Sequence, residues 1–413
     1  MVQRRYLLLL ALGTIAAVGL AGLANWFVDP YALYGTARIE GVNARKPYAE
    51  DRGRTSKIYE SARVKPHAII VGNSRPEMGL DPENVCWPES ARPVYNIALP
   101  GAGVYTQTAY ARHAMAAGKV TTVVMTLDIL DYLEGPGVKA PAAWPPEDAT
   151  AENLLIDAKG ERRAAYPLEK LENYATAAFS LETLADSIGT IAAQRSGSGE
   201  NLTPLGFNEP QGLYLPILAN EGEATLFAQK NKEVADLLRS RRWGLYAAGT
   251  KDSPDLAALR HFLDDTGREG IRTILVINPL HAEYLAILDL AGLWPLFEDW
   301  KKTLVEMTAG RGNVTLWDFT DFDDYSSEDI DLLPPRGKGL RWFWEPAHYK
   351  KELGDIILGN IFRQGCGGSA PVYGEMLTPQ TVEARNAGVR QRRDAYFRSH
   401  PQVLARLRAL LED

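Results

Sequence analysis

The chain has 413 residues, of which 46% are hydrophobic and 23% charged, and its formal net charge is -7. This composition excludes a mainly disordered protein. The negative balance argues against nucleic acid as the main partner. The length suits one large α/β domain with an insertion, or two domains.

The first 28 residues predict a membrane anchor. Arginines at positions 4 and 5 precede an uncharged run over residues 6–28, which exceeds the roughly 20 residues that a hydrocarbon core requires. The positive-inside rule places the rest of the chain on the extracytoplasmic side of the inner membrane, as a single-pass protein. The alternative is a signal peptide cleaved near residues 22–24, but the apolar run is longer than the roughly 7–15 residues of a signal h-region.

Residues 29–66 form a polar connector after this anchor, rich in Arg and Lys and without a clear period. We expect its basic side chains to face solvent, with anionic headgroups or a protein partner as the alternative contact. These side chains are Arg45, Lys46, Arg52, Arg54 and Lys57.

The stretch HAIIVGNSRPEMG, residues 67–79, predicts a strand, a tight turn and a helix start. Four apolar residues, 68–71, indicate a buried parallel strand, and Gly72, Asn73 and Ser74 follow before Pro76 opens a helix. Ligands bind at the carboxyl edge of open α/β sheets, and a hydroxyl beside the first N–H groups of a helix can attack an acyl carbon there. The alternative is an ordinary turn with Ser74 as the helix N-cap.

A second stretch, WFWEPAH at residues 342–348, offers the groups that a serine nucleophile needs. Glu345 and His348 stand three residues apart, so the carboxylate can fold back onto the imidazole and fix its tautomer. Alternatively, Glu345 complements the dipole of a helix that starts near residue 349, and His348 neighbours its N-cap.

Together, Gly72-Asn73-Ser74 and Glu345-Pro346-Ala347-His348 resemble the first and last sequence blocks of the SGNH, or GDSL-like, hydrolase superfamily. The resemblance covers roughly residues 60–365. It is closer to membrane-anchored extracytoplasmic members, such as the alginate O-acetylation and wall D-alanylation proteins, which carry an N-terminal hydrophobic segment and a G-x-S-R block. It implies a nucleophilic serine, a histidine base and an orienting glutamate, with no cofactor or metal.

The resemblance also implies an oxyanion site beyond two further predicted strands, 94–99 and 121–128. A glycine after the first of these, Gly101 or Gly103, would donate its backbone N–H, with the Asn96 side chain as a weaker candidate. Where the superfamily has an asparagine after the next strand, this chain has Asp128, and an ionised aspartate cannot donate. Either Asp128 holds a substrate hydroxyl or Arg75, or backbone donors alone bind the oxyanion, or the chain is inactive.

Residues 129–224 interrupt the α/β alternation, with one helix predicted over 166–195, and we expect this insertion to overhang the site or to have a packing role. The alternation resumes with helices at 225–243 and 254–266, a strand at 272–279, a helix at 293–308 and a strand at 314–319. His281 follows the first of these strands as a rival base or substrate-binding group, and Trp344 is a further candidate substrate contact. The last sheet-packing helix is predicted at 350–363.

Cys86 and Cys366 fit an exported chain, since they could form a disulfide in an oxidising compartment if their helices are neighbours. The sequence leaves the paired and the unpaired states open. It contains no C-x-x-C or His-rich cluster that would favour a structural zinc site.

We therefore predict a three-layer α/β/α sandwich with a parallel, flavodoxin-like sheet of about five strands over residues 67–365, and a helical tail over 366–413. The predicted function is serine-dependent ester hydrolysis or O-acyl transfer on a cell-envelope glycan or related carrier. The expected partners are that glycan or an acyl donor, the membrane and an envelope protein complex. The alternative is a catalytically silent SGNH-like module that binds glycan or acts as a scaffold. Nucleotide binding is disfavoured because no G-x-G-x-x-G or Walker pattern follows the first strand.

Overall fold

The computed structural model describes residues 2–139, 153–330, 339–363, 366 and 371–412. The strands are β1 Ala68–Val71, β2 Val94–Asn96, β3 Thr122–Leu127, β4 Gly199–Leu202, β5 Asn208–Pro210, β6 Arg272–Ile277, β7 Val314–Asp318, β8 Phe343–Glu345, β9 His348–Tyr349 and β10 Glu375–Leu377. The helices are α1 Val2–Val28, α2 Gly53–Val64, α3 Ser74–Gly79, α4 Val104–Ala117, α5 Tyr166–Phe179, α6 Leu181–Ser196, α7 Gln211–Asn220, α8 Glu223–Arg239, α9 Pro254–Arg268, α10 Ala282–Leu290, α11 Trp294–Thr308, α12 Lys351–Ile361, α13 Val382–Ser399 and α14 Pro401–Glu412.

Six strands form the central sheet, in the order β2-β1-β3-β6-β7-β10. The first five are parallel to one another, and β10 runs antiparallel to β7. The parallel strands follow the 2-1-3-4-5 order of flavodoxin-like sheets. The predicted α/β architecture is confirmed. The sheet is mostly parallel, because the antiparallel strand β10, which was not predicted, joins the five parallel strands.

The sheet lies between two hydrophobic cores. Side chains alternate along β1, so Ile69 and Val71 pack on one face with α4, α9 and α11, while Ala68 and Ile70 pack on the other with α12. All four side chains are fully buried, as expected of a strand inside a parallel sheet that is covered on both faces. Helix α12, which was predicted at 350–363 as the last helix packed on the sheet, therefore anchors the segment that precedes it.

Helix α1 is long and apolar enough to cross a membrane, and only 6% of its most apolar window is buried in the protein. Signal sequences share this length and composition. The helix thus agrees with the predicted anchor without fixing the side of the membrane.

The prediction that the connector's basic side chains face solvent is wrong for Lys46 and Lys57, which are 1% and 0% exposed. The Lys46 ammonium donates to the carbonyl oxygens of Val28 (2.6 Å) and Asp29 (2.8 Å), at the end of α1. Lys57, on the unpredicted helix α2, pairs with Glu77 of α3. The connector is therefore built into the fold, because these partners lie in other segments.

The single helix predicted over residues 166–195 of the insertion is two helices, α5 and α6, and α7 follows as an unpredicted helix. Ser180 separates α5 from α6 and caps α6, since its hydroxyl oxygen accepts from the Thr183 N–H at 3.3 Å. The β4–β5 hairpin follows, and its turn binds the edge of the central sheet, where the Asn96 N–H donates to the Leu205 carbonyl at 2.8 Å. Residues 140–152 of the insertion lie outside the described residues.

The two cysteines form a disulfide, with 4.7 Å between the Cα atoms of Cys86 and Cys366. It joins the loop after α3 to the segment after α12. The C-terminal tail also belongs to the domain, because buried Arg385 of α13 donates to the Asp321 carboxylate (2.8 Å) beyond β7.

Candidate active site

Ser74 is the first residue of α3, directly beyond the carboxyl end of β1. The N-cap is Asn73, whose side-chain oxygen accepts from the Arg75 N–H at 3.1 Å. The alternative in which Ser74 is the cap is therefore wrong, and its hydroxyl is free for another partner. The turn requires glycine at position 72, because φ there is +152° and a Cβ would lie 2.6 Å from the Pro76 side chain.

That partner is His348, whose Nε2 lies 2.7 Å from the Ser74 Oγ. The other ring nitrogen, Nδ1, is hydrogen-bonded to the Glu345 carboxylate. Since a carboxylate can only accept, Nδ1 carries the hydrogen and Nε2 is free to accept the serine proton. The structure thus brings together three predicted residues, two of which are 274 positions apart.

Glu345 is buried while the His348 side chain is 21% exposed, so the base reaches solvent and its orienting group does not. Burial raises the pKa of Glu345. The positive charge that the His348 ring carries when protonated, the hydrogen bond from this ring, the Ala347 N–H (3.0 Å) and the Arg75 charge together outweigh burial and hold this pKa below its usual range. The glutamate is therefore ionised near neutral pH and can stabilise an imidazolium.

Arg75 connects the loop that carries His348 to the central sheet. Its Nε donates to the Ala347 carbonyl at 2.9 Å, and its guanidinium forms a buried ion pair with Asp128 and contacts the Tyr284 hydroxyl at 3.4 Å. Of the two partners expected for Asp128, a substrate hydroxyl or Arg75, the structure shows Arg75. Asp128 thus connects the end of β3 to the loop that carries His348, and it offers no donor to an oxyanion.

Gly101 and Gly103 lie in the turn between β2 and α4. The Leu99 N–H donates to the Gly72 carbonyl at 2.9 Å, which places this turn beside the one that presents Ser74. Both glycines are exposed, and apart from their chain neighbours no atom of the described residues lies within 4 Å of a Cβ built on either. The space next to their backbone is open to a ligand, and their part in binding an oxyanion stays a prediction.

Asn96, the weaker oxyanion candidate, is fully buried and occupied elsewhere. Its side-chain nitrogen donates to the carbonyl oxygens of Pro76 (2.8 Å) and Leu80 (3.0 Å), so both amide hydrogens are used. The structure places this side chain at the end of α3, where it holds the helix against β2.

His281 does not reach Ser74 as a second base; it is buried at the start of α10. Its Nδ1 accepts from the Glu283 N–H (3.2 Å), and its Nε2 is paired with the Glu328 carbonyl (3.0 Å). The backbone N–H of His281 in turn donates to the Pro346 carbonyl at 3.0 Å, inside the loop that carries His348. The residue supports that loop, and both ring nitrogens are already used.

Trp344 is also buried, and its ring stacks on Tyr214 of α7 with centroids 5.1 Å apart. Met78 of α3 belongs to the same apolar cluster. The tryptophan thus connects the insertion to the helix that carries Ser74, and its predicted contact with substrate remains untested.

Sequence reasoning missed Asp131, which lies beyond β3 and links the turn after β1 to helix α4. Its Oδ2 accepts from the Asn73 side chain (3.2 Å) after β1 and from Gln107 (2.9 Å) on α4. Burial raises the pKa of Asp131, and the Arg75 charge opposes that rise. The signal that could have revealed it is a second carboxylate three residues after Asp128, at the carboxyl end of a predicted strand.

A second missed feature is the β4–β5 hairpin, which packs against α3 and carries Glu200 and Asn208. Burial raises the pKa of Glu200, the Glu77 charge raises it further, and a weaker opposing effect comes from His348. The hairpin therefore lies within electrostatic range of the histidine. The expected overhang of the insertion on the site agrees with this placement.

The chain matches no protein-family model, and no curated protein matches it.

Proposed function

We propose that the chain is a serine-dependent esterase or O-acyltransferase. The observation that carries the proposal is the hydrogen-bonded series Ser74–His348–Glu345 at the carboxyl edge of the sheet. Each member has the geometry its role requires: a hydroxyl 2.7 Å from an unprotonated ring nitrogen, and a buried carboxylate on the opposite nitrogen.

In this reaction the Ser74 oxygen bonds to the acyl carbon as its proton passes to His348 Nε2. The negative charge on the former carbonyl oxygen is bound by the Ser74 backbone N–H, at the start of α3, and by N–H groups in the turn that contains Gly101 and Gly103. The imidazolium then gives its proton to the departing alcohol, which leaves an acyl-serine. Water, or a sugar hydroxyl in a transferase, then attacks the acyl carbon as its own proton passes to His348. The bond between the acyl carbon and the Ser74 oxygen breaks, and His348 returns the proton to that oxygen.

The proposed substrate is an acylated cell-envelope glycan or a related carrier, and the proposed location is the extracytoplasmic side of the inner membrane. Support comes from α1, from the two arginines before its apolar run and from the disulfide, which suits an oxidising compartment. A reporter that is active only in the cytoplasm, fused after the C-terminus, should be silent. A strongly active fusion would contradict the proposed location and place the C-terminus in the cytoplasm.

A serine-directed fluorophosphonate probe tests the chemistry. We expect the full-length protein to be labelled, Ser74→Ala to lose the label, and Ser198→Ala, a change at an exposed serine in the insertion, to keep it. His348→Ala should abolish nearly all labelling as well, because the members of a triad act as a unit. An unlabelled wild-type protein that is folded would contradict the proposal.

The second candidate is a catalytically silent module that binds glycan or acts as a scaffold. The observation that favours it is the ion pair between Asp128 and Arg75, since the turn after β3 then provides no donor from Asp128. Comparison of envelope glycans by mass, from cells with and without the gene, separates the cases. Acyl groups are lost without a transferase and gained without an esterase. If the protein is a silent scaffold, cells that carry Ser74→Ala should instead have the same acyl content as wild-type cells.

A further inference from the structure

Helices α5 and α6 of the insertion present apolar side chains to solvent. Leu168, Leu171 and Phe179 recur at helical spacing on α5, and Leu181, Ile188 and Ile191 do so on α6. These six are nearly half of the thirteen exposed large apolar side chains that the described residues contain outside α1. Concentration of such side chains on one helical hairpin marks an interaction surface rather than ordinary scatter.

This hairpin is packed against the end of α1. A Cβ at Gly22 would lie 2.9 Å from the Phe179 ring, so the glycine lets the two helices approach closely. The fully buried Asn25 side chain donates to the carbonyl oxygens of Ala178 (2.9 Å) and Ser180 (3.1 Å), in the turn between α5 and α6. The apolar faces of the hairpin therefore begin where the exposed apolar surface of α1 ends.

The depth of this contact can be worked out from helix geometry. A run of about 20 residues at about 1.5 Å each spans a hydrocarbon core of about 30 Å, so a span that starts at Tyr6 ends near Asn25. Gly22, which touches Phe179, lies about 4.5 Å before that end. The exposed Trp26 and Phe27 follow, at the level where aromatic side chains meet the interface. Phe179 thus lies about 4.5 Å inside the end of the span, close to the depth of about 5–10 Å that the apolar face of an interfacial helix reaches.

We propose that α5 and α6 form a second membrane-binding element, which lies in the interface beside α1 with its apolar face in the lipid. The occupant is the bilayer because the surface is continuous with a helix that suits a membrane span. The proposal requires that α1 is retained, because cleavage after residue 24 would remove Gly22 and with it the helix that packs on Phe179. It does not depend on the proposed chemistry at Ser74.

The variants Leu181→Cys and Ile188→Cys, each made singly, test the proposal in the full-length protein, and each control position below is likewise changed to cysteine. The native cysteines are bonded to each other and do not compete for a thiol-reactive fluorophore. Labelled proteins would be reconstituted into phosphatidylcholine nanodiscs, with and without a lipid that carries a nitroxide quencher. Matched controls are Val372, which is 79% exposed against 80% for Leu181 but distant in sequence, and Leu20, on the exposed surface of α1.

We expect quenching at Leu181 and Ile188 to approach that at Leu20 and to exceed that at Val372 clearly. Equal quenching at Leu181, Ile188 and Val372 would overturn the proposal. Protection of the two sites from aqueous iodide without quenching by lipid would also overturn it, because a second copy of the chain would then cover the hairpin. Intact mass gives an independent test, since the loss of residues 1–24 from membrane-purified protein would show that α1 is cleaved.

Discussion

Protonation of His281 should destabilise the fold, and the structure allows the size of this effect to be worked out. The ring is buried, with Nδ1 accepting from the Glu283 N–H and Nε2 paired with the Glu328 carbonyl. A proton on Nδ1 would face another donor. Burial lowers the pKa of His281 to about 4, from 6.5 for an exposed histidine.

Because the folded-state pKa is the lower one, the unfolded chain takes up a proton below pH 6.5 that the folded chain does not. Stability is therefore lost as the pH falls from about 6.5 towards about 4, where both states are protonated. With these two pKa values the loss at about pH 5 is about 2 kcal/mol, at about 1.4 kcal/mol per unit of pKa difference. His281→Gln has no ring to protonate and should not show this loss.

The measurement is urea unfolding of the full-length protein in a non-ionic detergent, followed by tryptophan fluorescence at about pH 7.5 and about pH 5. We expect the wild type to lose about 2 kcal/mol more than His281→Gln between these values. The comparison uses the difference between two pH values, so the cost of the substitution that does not depend on pH cancels.

His113 allows the same acid-destabilisation test at a second buried histidine, on a different helix. It is buried on α4, and burial lowers its pKa to about 4 as well. His113→Gln should reduce the acid sensitivity by a similar amount, and the double variant by about the sum, because the two residues lie on different helices. If His281→Gln and the wild type lose the same stability on acidification, the reasoning is wrong.

Three further predictions concern the supports of the site. Gly354→Ala should lower the free energy of unfolding by about 1–3 kcal/mol and lower the melting temperature, because a Cβ there would overlap the backbone of α3; an unchanged melting temperature would contradict this contact. Arg75→Met should cost about 3–5 kcal/mol in urea unfolding, since it leaves Asp128 buried without its cation, and addition of Asp128→Asn should recover part of that cost; no cost in the single variant would refute the ion pair. Denatured, unreduced protein should contain no free thiol at Cys86 or Cys366, and two thiols in a colorimetric assay would exclude the bond.

The residues of the candidate site could be predicted because parallel sheets impose a strong rule. Strand β1 was recognised from four apolar residues before a glycine, so Ser74 had to lie at the carboxyl edge. The segment that carries Glu345 and His348 comes just before a helix that packs on the sheet, which brings it to the same edge. Their meeting therefore depends on topology more than on local sequence.

Features that depend on distant partners could not be predicted in this way. Lys57 has the composition of a solvated connector, but its partner Glu77 is on another helix, and no local pattern shows that pairing. Asn96 was a weaker candidate donor because the resemblance places an oxyanion site beyond its predicted strand, 94–99, although its amide hydrogens are taken by carbonyl oxygens of α3 and the residue after it. Strand β10 has three residues, too few for an alternating pattern to be recognised.

The separation of 274 residues between Ser74 and His348 also sets the order in which the site can be assembled during synthesis. At about 5–20 residues per second, the ribosome adds the histidine about 14–55 s after the serine. All five parallel strands precede the β8–β9 loop, so a chain that stops after β7 contains the whole parallel sheet and still lacks the base. Under the proposed mechanism, incomplete chains would thus carry the nucleophile without its activating group, and would remain chemically inert however well their sheet has folded.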